Sequence, residues 1–190
     1  SQAENQILTR PRNAIHRRNM ARRTIMIIPD FDNMEVIHQI REKYDPLSAL
    51  VPLHITLVFP FESEMSNDTL RSILERKLEG VHSFPLSLQG ISKQEDKFGN
   101  YLFLDVKEGK EQIAMIHNLL YSSELNEFDL GYDYVPHMTV GKLESSEKLT
   151  NAYEEILEMK DTFITVAGSV CVEMIGENEE SIIIMEKKLL

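Results

Sequence analysis

His54-Ile55-Thr56-Leu57 and, 83 residues further on, His137-Met138-Thr139-Val140 are the two stretches that decide how this chain reads. Each alternates polar and apolar residues. In an extended strand, alternate side chains share a face, so His and Thr of each copy project together, roughly 7 Å apart, while the intervening residues turn to a core. Each copy also follows an apolar approach containing proline, Val51-Pro52-Leu53 and Val135-Pro136. Read alone, either copy is an ordinary half-buried strand histidine beside a strand-favouring threonine. The matched pair is different: two such strands facing each other supply two imidazoles and two hydroxyls to one cleft, a set suited to moving protons around a phosphate.

Working outward from these strands, hydrophobic spacing gives the rest of the order. Residues 24–29 read as a buried strand, and 33–44 as an amphipathic helix with Met34, Ile37, Ile40 and Tyr44 on one side. After the first motif strand (54–61), Ser66-Asn67-Asp68 caps a helix running to about Leu78 and stopped by Gly80. Strands follow at 84–92 and 101–107 around the turn Lys97-Phe98-Gly99-Asn100, then a helix over 111–125. The second motif strand (137–143) leads to a helix opening at Ser145-Ser146, and two long strands, 163–175 and 181–186, finish the chain. The motif strands thus have a helix on either side in both halves. This echo of order without echo of sequence predicts an α+β protein of two pseudo-symmetric lobes of antiparallel sheet flanked by helices, with a central cleft between the motif strands. Residues 20–190 are expected to form that single two-lobed domain.

Charge narrows the function. Residues 1–23 carry six Arg against one Glu, whereas the rest carries 14 Lys or Arg against 30 Asp or Glu. So acidic a body is a poor platform for long duplex nucleic acid, whose binding requires neutralising many phosphates. It can still hold one phosphate or one strand end in a locally positive pocket. Residues 1–19 are expected to be a disordered basic extension, the alternative being a flexible arm that touches nucleic acid through Arg10, Arg12, Arg17 and Arg18. No apolar run reaches the ~20 residues of a membrane span, and a single cysteine, Cys171, allows no internal disulfide. Both fit a cytoplasmic protein. No metal-ligand spacing, phosphate-binding glycine loop or serine-esterase elbow is present, so no metal or other cofactor is expected. His38 and His117 on helices, His82 before a strand and His16 in the basic segment read as structural or surface residues.

The paired His-x-Thr motifs resemble those of the two-histidine (2H) phosphoesterase superfamily, which includes 2′-5′ RNA ligase-like proteins and RNA 2′,3′-cyclic phosphodiesterases. Tyr134-Val135-Pro136-His137-Met138-Thr139-Val140-Gly141-Lys142 is similar to the bacterial ligase-like branch, where many members carry Arg at the position of Lys142. The resemblance implies opening of a 2′,3′-cyclic phosphate to a 2′-phosphate, with His137 as general base and His54 as general acid. Thr56 and Thr139 would donate to the non-bridging oxygens, and Lys142, Phe59 and Tyr134 are candidate substrate contacts. Ligation or cleavage of 2′-5′ linkages, opening of ADP-ribose 1″,2″-cyclic phosphate, and a non-catalytic module that binds a nucleotide or RNA end stay open as alternatives.

Overall fold

The computed structural model describes residues 20–190; the basic extension expected over residues 1–19 lies outside them. The elements run β1 (Ala21–Ile27), α1 (Met34–Tyr44), β2 (Ile55–Ser63), α2 (Asn67–Lys77), β3 (Phe84–Asp96), β4 (Gly99–Glu108), α3 (Lys110–Tyr121), β5 (His137–Leu143), α4 (Ser146–Ile156), β6 (Phe163–Ala167), β7 (Ser169–Ile175) and β8 (Ser181–Lys188). The eight strands form one antiparallel sheet in the order β6-β3-β4-β5-β2-β1-β7-β8. The mixed helix-and-strand architecture expected from the sequence is therefore present, with four strands on each side of the β5–β2 seam.

The echo of element order does not map the chain's halves onto the sheet's halves. β3 follows α2 yet pairs with β4 and β6, on β5's side, while β7 returns to pair with β1, on β2's side. The long strand expected over 163–175 is in fact two strands separated by Gly168. They lie six places apart in the sheet order. Laid flat, six spacings of about 4.8 Å would put them roughly 29 Å apart, but one intervening residue spans only about 7 Å. The sheet therefore curls until its far ends meet. Leu189 N–H donates to the Gly168 carbonyl, and Leu190 exchanges backbone bonds with Val81 and Ser83, fastening that junction.

One face of the curled sheet is covered by helices. Ile25, Ile27, Ile55, Leu57, Leu104, Met138 and Val140 point to that side and are essentially sealed from solvent together with Ile37, Leu70, Ile113 and Leu149 from the four helices. Burying each such side chain contributes about 1.5–3 kcal/mol. The helices lock the seam by crossing it: α1 packs on β5 and α3 packs on β2. The expected caps are in place, with Ser66 Oγ accepting from Thr69 N–H and Ser145 Oγ from Lys148 N–H, both at 3.1 Å. The helix expected over 111–125 stops earlier, at Tyr121, and a 3₁₀ turn (Ser123–Phe128) follows. Among the described residues no helix is long and apolar enough to cross a membrane.

Candidate functional site

The two motif strands are neighbours, but they pair at a single position, Ile55 opposite Met138. Extending that antiparallel register by one residue each way puts His54 across from Thr139 and Thr56 across from His137. Directly opposed residues have Cβ atoms about 4.5–5.5 Å apart, and the diagonal His54–His137 separation is about 7–8 Å. Ile55 and Met138 are fully buried, and all four polar motif residues are half-exposed on the opposite, open face. The structure thus brings His54, Thr56, His137 and Thr139 together on one surface.

Both histidines are held in the same way. His54 Nδ1 lies 2.8 Å from the Pro52 carbonyl, and His137 Nδ1 lies 2.8 Å from the Val135 carbonyl. A carbonyl only accepts, so Nδ1 carries the proton in each ring and Nε2 is left as the ring's acceptor nitrogen. The flanking prolines enter this arrangement differently: Pro52 itself supplies the carbonyl that meets His54, whereas Pro136 keeps Val135, whose carbonyl meets His137, in an extended conformation. On the His54 side, buried Arg41 at the end of α1 donates to the Val51 carbonyl (2.7 Å) and pairs with Asp45 (3.2 Å), anchoring the loop that delivers the histidine.

Both copies also bulge at the same place. Met26 opposes Thr56 while Ile25 opposes Val58, so Leu57 is an extra residue in β2; Phe103 opposes Thr139 while Leu102 opposes Gly141, so Val140 is extra in β5. Such an insertion reverses the alternation beyond it. Lys142, which plain alternation would send to the core, is instead exposed opposite Tyr101, with Nζ 5.7 Å from that ring. Tyr101 stacks in line with Phe103 on the open face. Phe59, the counterpart of Lys142 on β2, lines a cavity beside His137.

That cavity, about 460 Å³, lies on the His137 side of the seam. Phe59, Phe103, Tyr132 and Tyr134 give it aromatic walls, and Ser92, Lys93 and Asp105 give it polar ones. Asp105 is the cross-strand neighbour of His137 and accepts a 2.6 Å bond from Ser92 Oγ. Phe103 packs its ring 3.8 Å from the His137 imidazole. The cavity does not extend to His54, Thr56, Thr139 or Lys142. Sequence reading missed Phe103, Ser92 and Asp105. Phe103 and Asp105 have the same every-second-residue spacing as the motifs, but only the β4–β5 pairing shows which face they share.

His117, read from sequence as a structural helix residue, is indeed buried, but it serves the site's frame. Beyond the seam pair, β2 has no strand on its β5 side. Pro60 falls in a second irregularity of its ladder with β1, between the Arg23–Phe61 and Ile25–Val58 pairs, where a missing N–H is tolerated. Side chains meet its backbone instead. His117 Nδ1–H donates to the Leu57 carbonyl (2.7 Å), Phe59 N–H donates to the Tyr121 hydroxyl (3.0 Å), and the Tyr134 hydroxyl donates to the Thr56 carbonyl (2.6 Å). Burial holds the His117 pKa below its usual value and pushes those of Tyr121 and Tyr134 up. All three therefore stay neutral around pH 7. Among the described residues, no three His, Cys, Asp or Glu side chains gather as a metal site would require.

Comparison with known proteins agrees with this geometry. Residues 29–171 match the 2′-5′ RNA ligase superfamily. A protein of Halalkalibacterium halodurans that bears a phosphoesterase name is 29% identical over 133 residues, covering 67% of this chain and 73% of that relative. Among solved structures, E. coli LigT superposes with a TM-score of 0.57 at 15% identity, covering 90% of this chain and 98% of its own. TT0787 of Thermus thermophilus superposes at 0.59 and 13% identity, covering 88% and 97%. These structural likenesses extend to the fold, while the matched stretch contains both His-x-Thr strands and the whole seam between them: the chain belongs to the 2′-5′ RNA ligase superfamily of two-histidine phosphoesterases.

Proposed function

We propose that this protein is a phosphodiesterase that opens 2′,3′-cyclic phosphates of nucleotides or RNA ends, leaving 2′-phosphates, by histidine general acid/base catalysis. The observation that carries this reading is the matched tautomer lock: both imidazoles have Nδ1 tied to a carbonyl, and each stands across the seam from the other motif's threonine. His137 Nε2 takes a proton from water as the water oxygen attacks phosphorus. His54, protonated at Nε2, gives its proton to the departing ribose O3′. One P–O bond forms, one breaks, and the pair of histidines exchanges protonation states, to be reset through solvent. The Thr56 and Thr139 hydroxyls steady the non-bridging oxygens, where charge accumulates. The aromatic cavity is of a size for one nucleoside, and LigT, of the same fold, has been solved with 3′-AMP and with ATP.

The test is hydrolysis of 2′,3′-cyclic mononucleotides and cyclic-ended oligonucleotides by wild type, His54→Ala and His137→Ala, with a chelator present. Loss of one proton-transfer group costs about 10²–10⁴-fold in rate, with folding intact because both side chains are half-exposed. Wild-type rates in both variants would overturn the mechanism. The superfamily's name favours a second reading, making or cleaving 2′-5′ linkages, which the same pair could perform in either direction. 2′-5′ dinucleotides offered in parallel decide between them. Tight 2′-AMP binding without turnover of any substrate would instead indicate a binding module.

A further inference from the structure

The weakest joint in this fold is the one the reaction depends on. β2 and β5 carry the two histidines, yet their backbones meet at one register pair. Beyond that pair, the link between the second motif's approach and β2 runs through side chains. Tyr134, three residues before His137, donates its hydroxyl to the carbonyl of Thr56. The same segment contributes the Val135 carbonyl that fixes the His137 tautomer. The Tyr134 ring lies flat on His117, with centroids 3.7 Å apart and planes 3° from parallel. His117 donates in turn to the next carbonyl along β2, that of Leu57. A stacked pair of rings, one from α3 and one from the β5 approach, therefore grips consecutive carbonyls of the opposite motif strand. Tyr121 closes the group, edge-on to His117 at 4.9 Å and bonded to Phe59 N–H.

The geometry points to His117 and Tyr134 as positioning residues that hold the two motifs in register, so that His137 and Thr56 address the same phosphorus. In the hydrolysis proposed above, on which this assignment rests, neither side chain exchanges a proton. Their effect reaches the reaction through the height of Thr56 and the orientation of His137. Shifts of about 1 Å in such a frame can cost about 10²-fold in turnover.

Tyr134→Phe is the cleanest probe, since it deletes the bond to Thr56 and keeps the stacked ring. Its kcat on a 2′,3′-cyclic nucleotide should fall about tenfold or more, with KM within about twofold and the melting temperature close to wild type. His117→Leu should lower kcat similarly, and His117→Asn, whose amide N–H can replace the Nδ1 donor, should recover part of the loss. The second readout is nitrogen NMR of the imidazoles, which needs no turnover. The His137 Nδ1–H signal should be sharp in wild type and broadened by exchange in Tyr134→Phe, with His54 unchanged. If wild type hydrolyses no cyclic phosphate, the proposed function fails while the NMR comparison still judges the clamp. An unaltered kcat in Tyr134→Phe, an unaltered His137 signal, or a kcat loss that merely tracks the unfolded fraction would overturn it.

Discussion

Gly141→Ala tests whether the bulge after the second motif is as tightly built as it looks. A Cβ at this position would meet Tyr44 Cβ at 3.0 Å, Leu102 Cδ1 at 3.1 Å and Leu102 Cβ at 3.3 Å. Each contact needs a few tenths of an ångström of relief, and neither neighbour has an easy way to give it. Tyr44 Cβ is bonded directly to the backbone of α1 and moves only with it, and the end of that helix is tied down by Arg41 to the Val51 carbonyl and by the Tyr44 hydroxyl to Glu155. Leu102 is completely buried in the core. Two effects oppose each other. Replacing glycine removes unfolded-state freedom, which stabilises by about 0.4–1 kcal/mol, whereas overpacking costs about 1–3 kcal/mol. The second wins, leaving a net loss of about 1–2 kcal/mol, read by urea unfolding at neutral pH. Activity should fall further than stability, because the strained contact lies between Thr139 and Lys142 and pushes on the helix that anchors the loop to His54. Gly168→Ala is the internal control: nothing lies within 4 Å of its Cβ, so it should be neutral or slightly stabilising. If Gly141→Ala were as stable and as active as Gly168→Ala, the close packing of α1 on the bulge would not matter as argued.

Other expectations follow from single contacts. Lys142→Ala removes an exposed cation on the open face, so stability should stay within about 0.5 kcal/mol while KM for a cyclic nucleotide rises several-fold at low salt. Equal KM values and equal salt dependence would remove Lys142 from the phosphate's surroundings. His117, enclosed by Tyr134, Tyr121 and the Leu57 carbonyl, has a lowered pKa because burial disfavours the imidazolium, an effect partly offset by that carbonyl and by Asp129. The unfolded chain protonates this residue near ~6.5 and the folded chain resists. Its contribution is therefore intact above that pH and lost as pH falls toward the folded value, by up to about 1.4 kcal/mol per pH unit. Unfolding free energies at pH 7 and 5 should show a shallower decline in His117→Asn than in wild type, and equal slopes would contradict this. Ser66→Ala deletes the α2 cap and should cost about 1 kcal/mol by urea unfolding, with unchanged turnover, since α2 packs on α3 and β8 away from the motif strands.

Much of the fold was legible because it rests on local periodicity. Leu70, Ile73 and Leu74 on α2, or Ile55 and Leu57 between the polar motif residues, announce their faces whatever their partners turn out to be. What local pattern could not convey was partnership. Residues 163–175 stay strand-like through Thr165-Val166-Ala167-Gly168-Ser169-Val170, and the break at Gly168 arises because the two sides pair with β3 and β1 respectively. β3 pairs with β4 across the turn read at residues 97–100, but its other partner, β6, comes from the far end of the chain and no local pattern announces it. Strand exchange of this kind is decided by which buried faces fit across the curled sheet, a non-local quantity.

The site divides along the same line. His54, Thr56, His137 and Thr139 were readable because residue type and period two sufficed. The bulges at Leu57 and Val140 were not, since an extra residue looks like any other apolar strand residue until its partner strand fails to match it. Yet those bulges determine what surrounds the four motif side chains. They bring Phe59 and Lys142 to equivalent places on the two strands, one an aromatic wall of the cavity and the other an exposed cation. The neighbours differ too: Phe103 backs His137 and Met26 stands opposite Thr56. The proposed proton-transfer groups are thus nearly symmetric while their surroundings are not. Two identically locked histidines could serve as acid or base equally well. In the hydrolysis proposed above, the side that receives the nucleoside would set the direction of attack, so that the unequal walls of the cleft, rather than the matched motifs, would assign the roles.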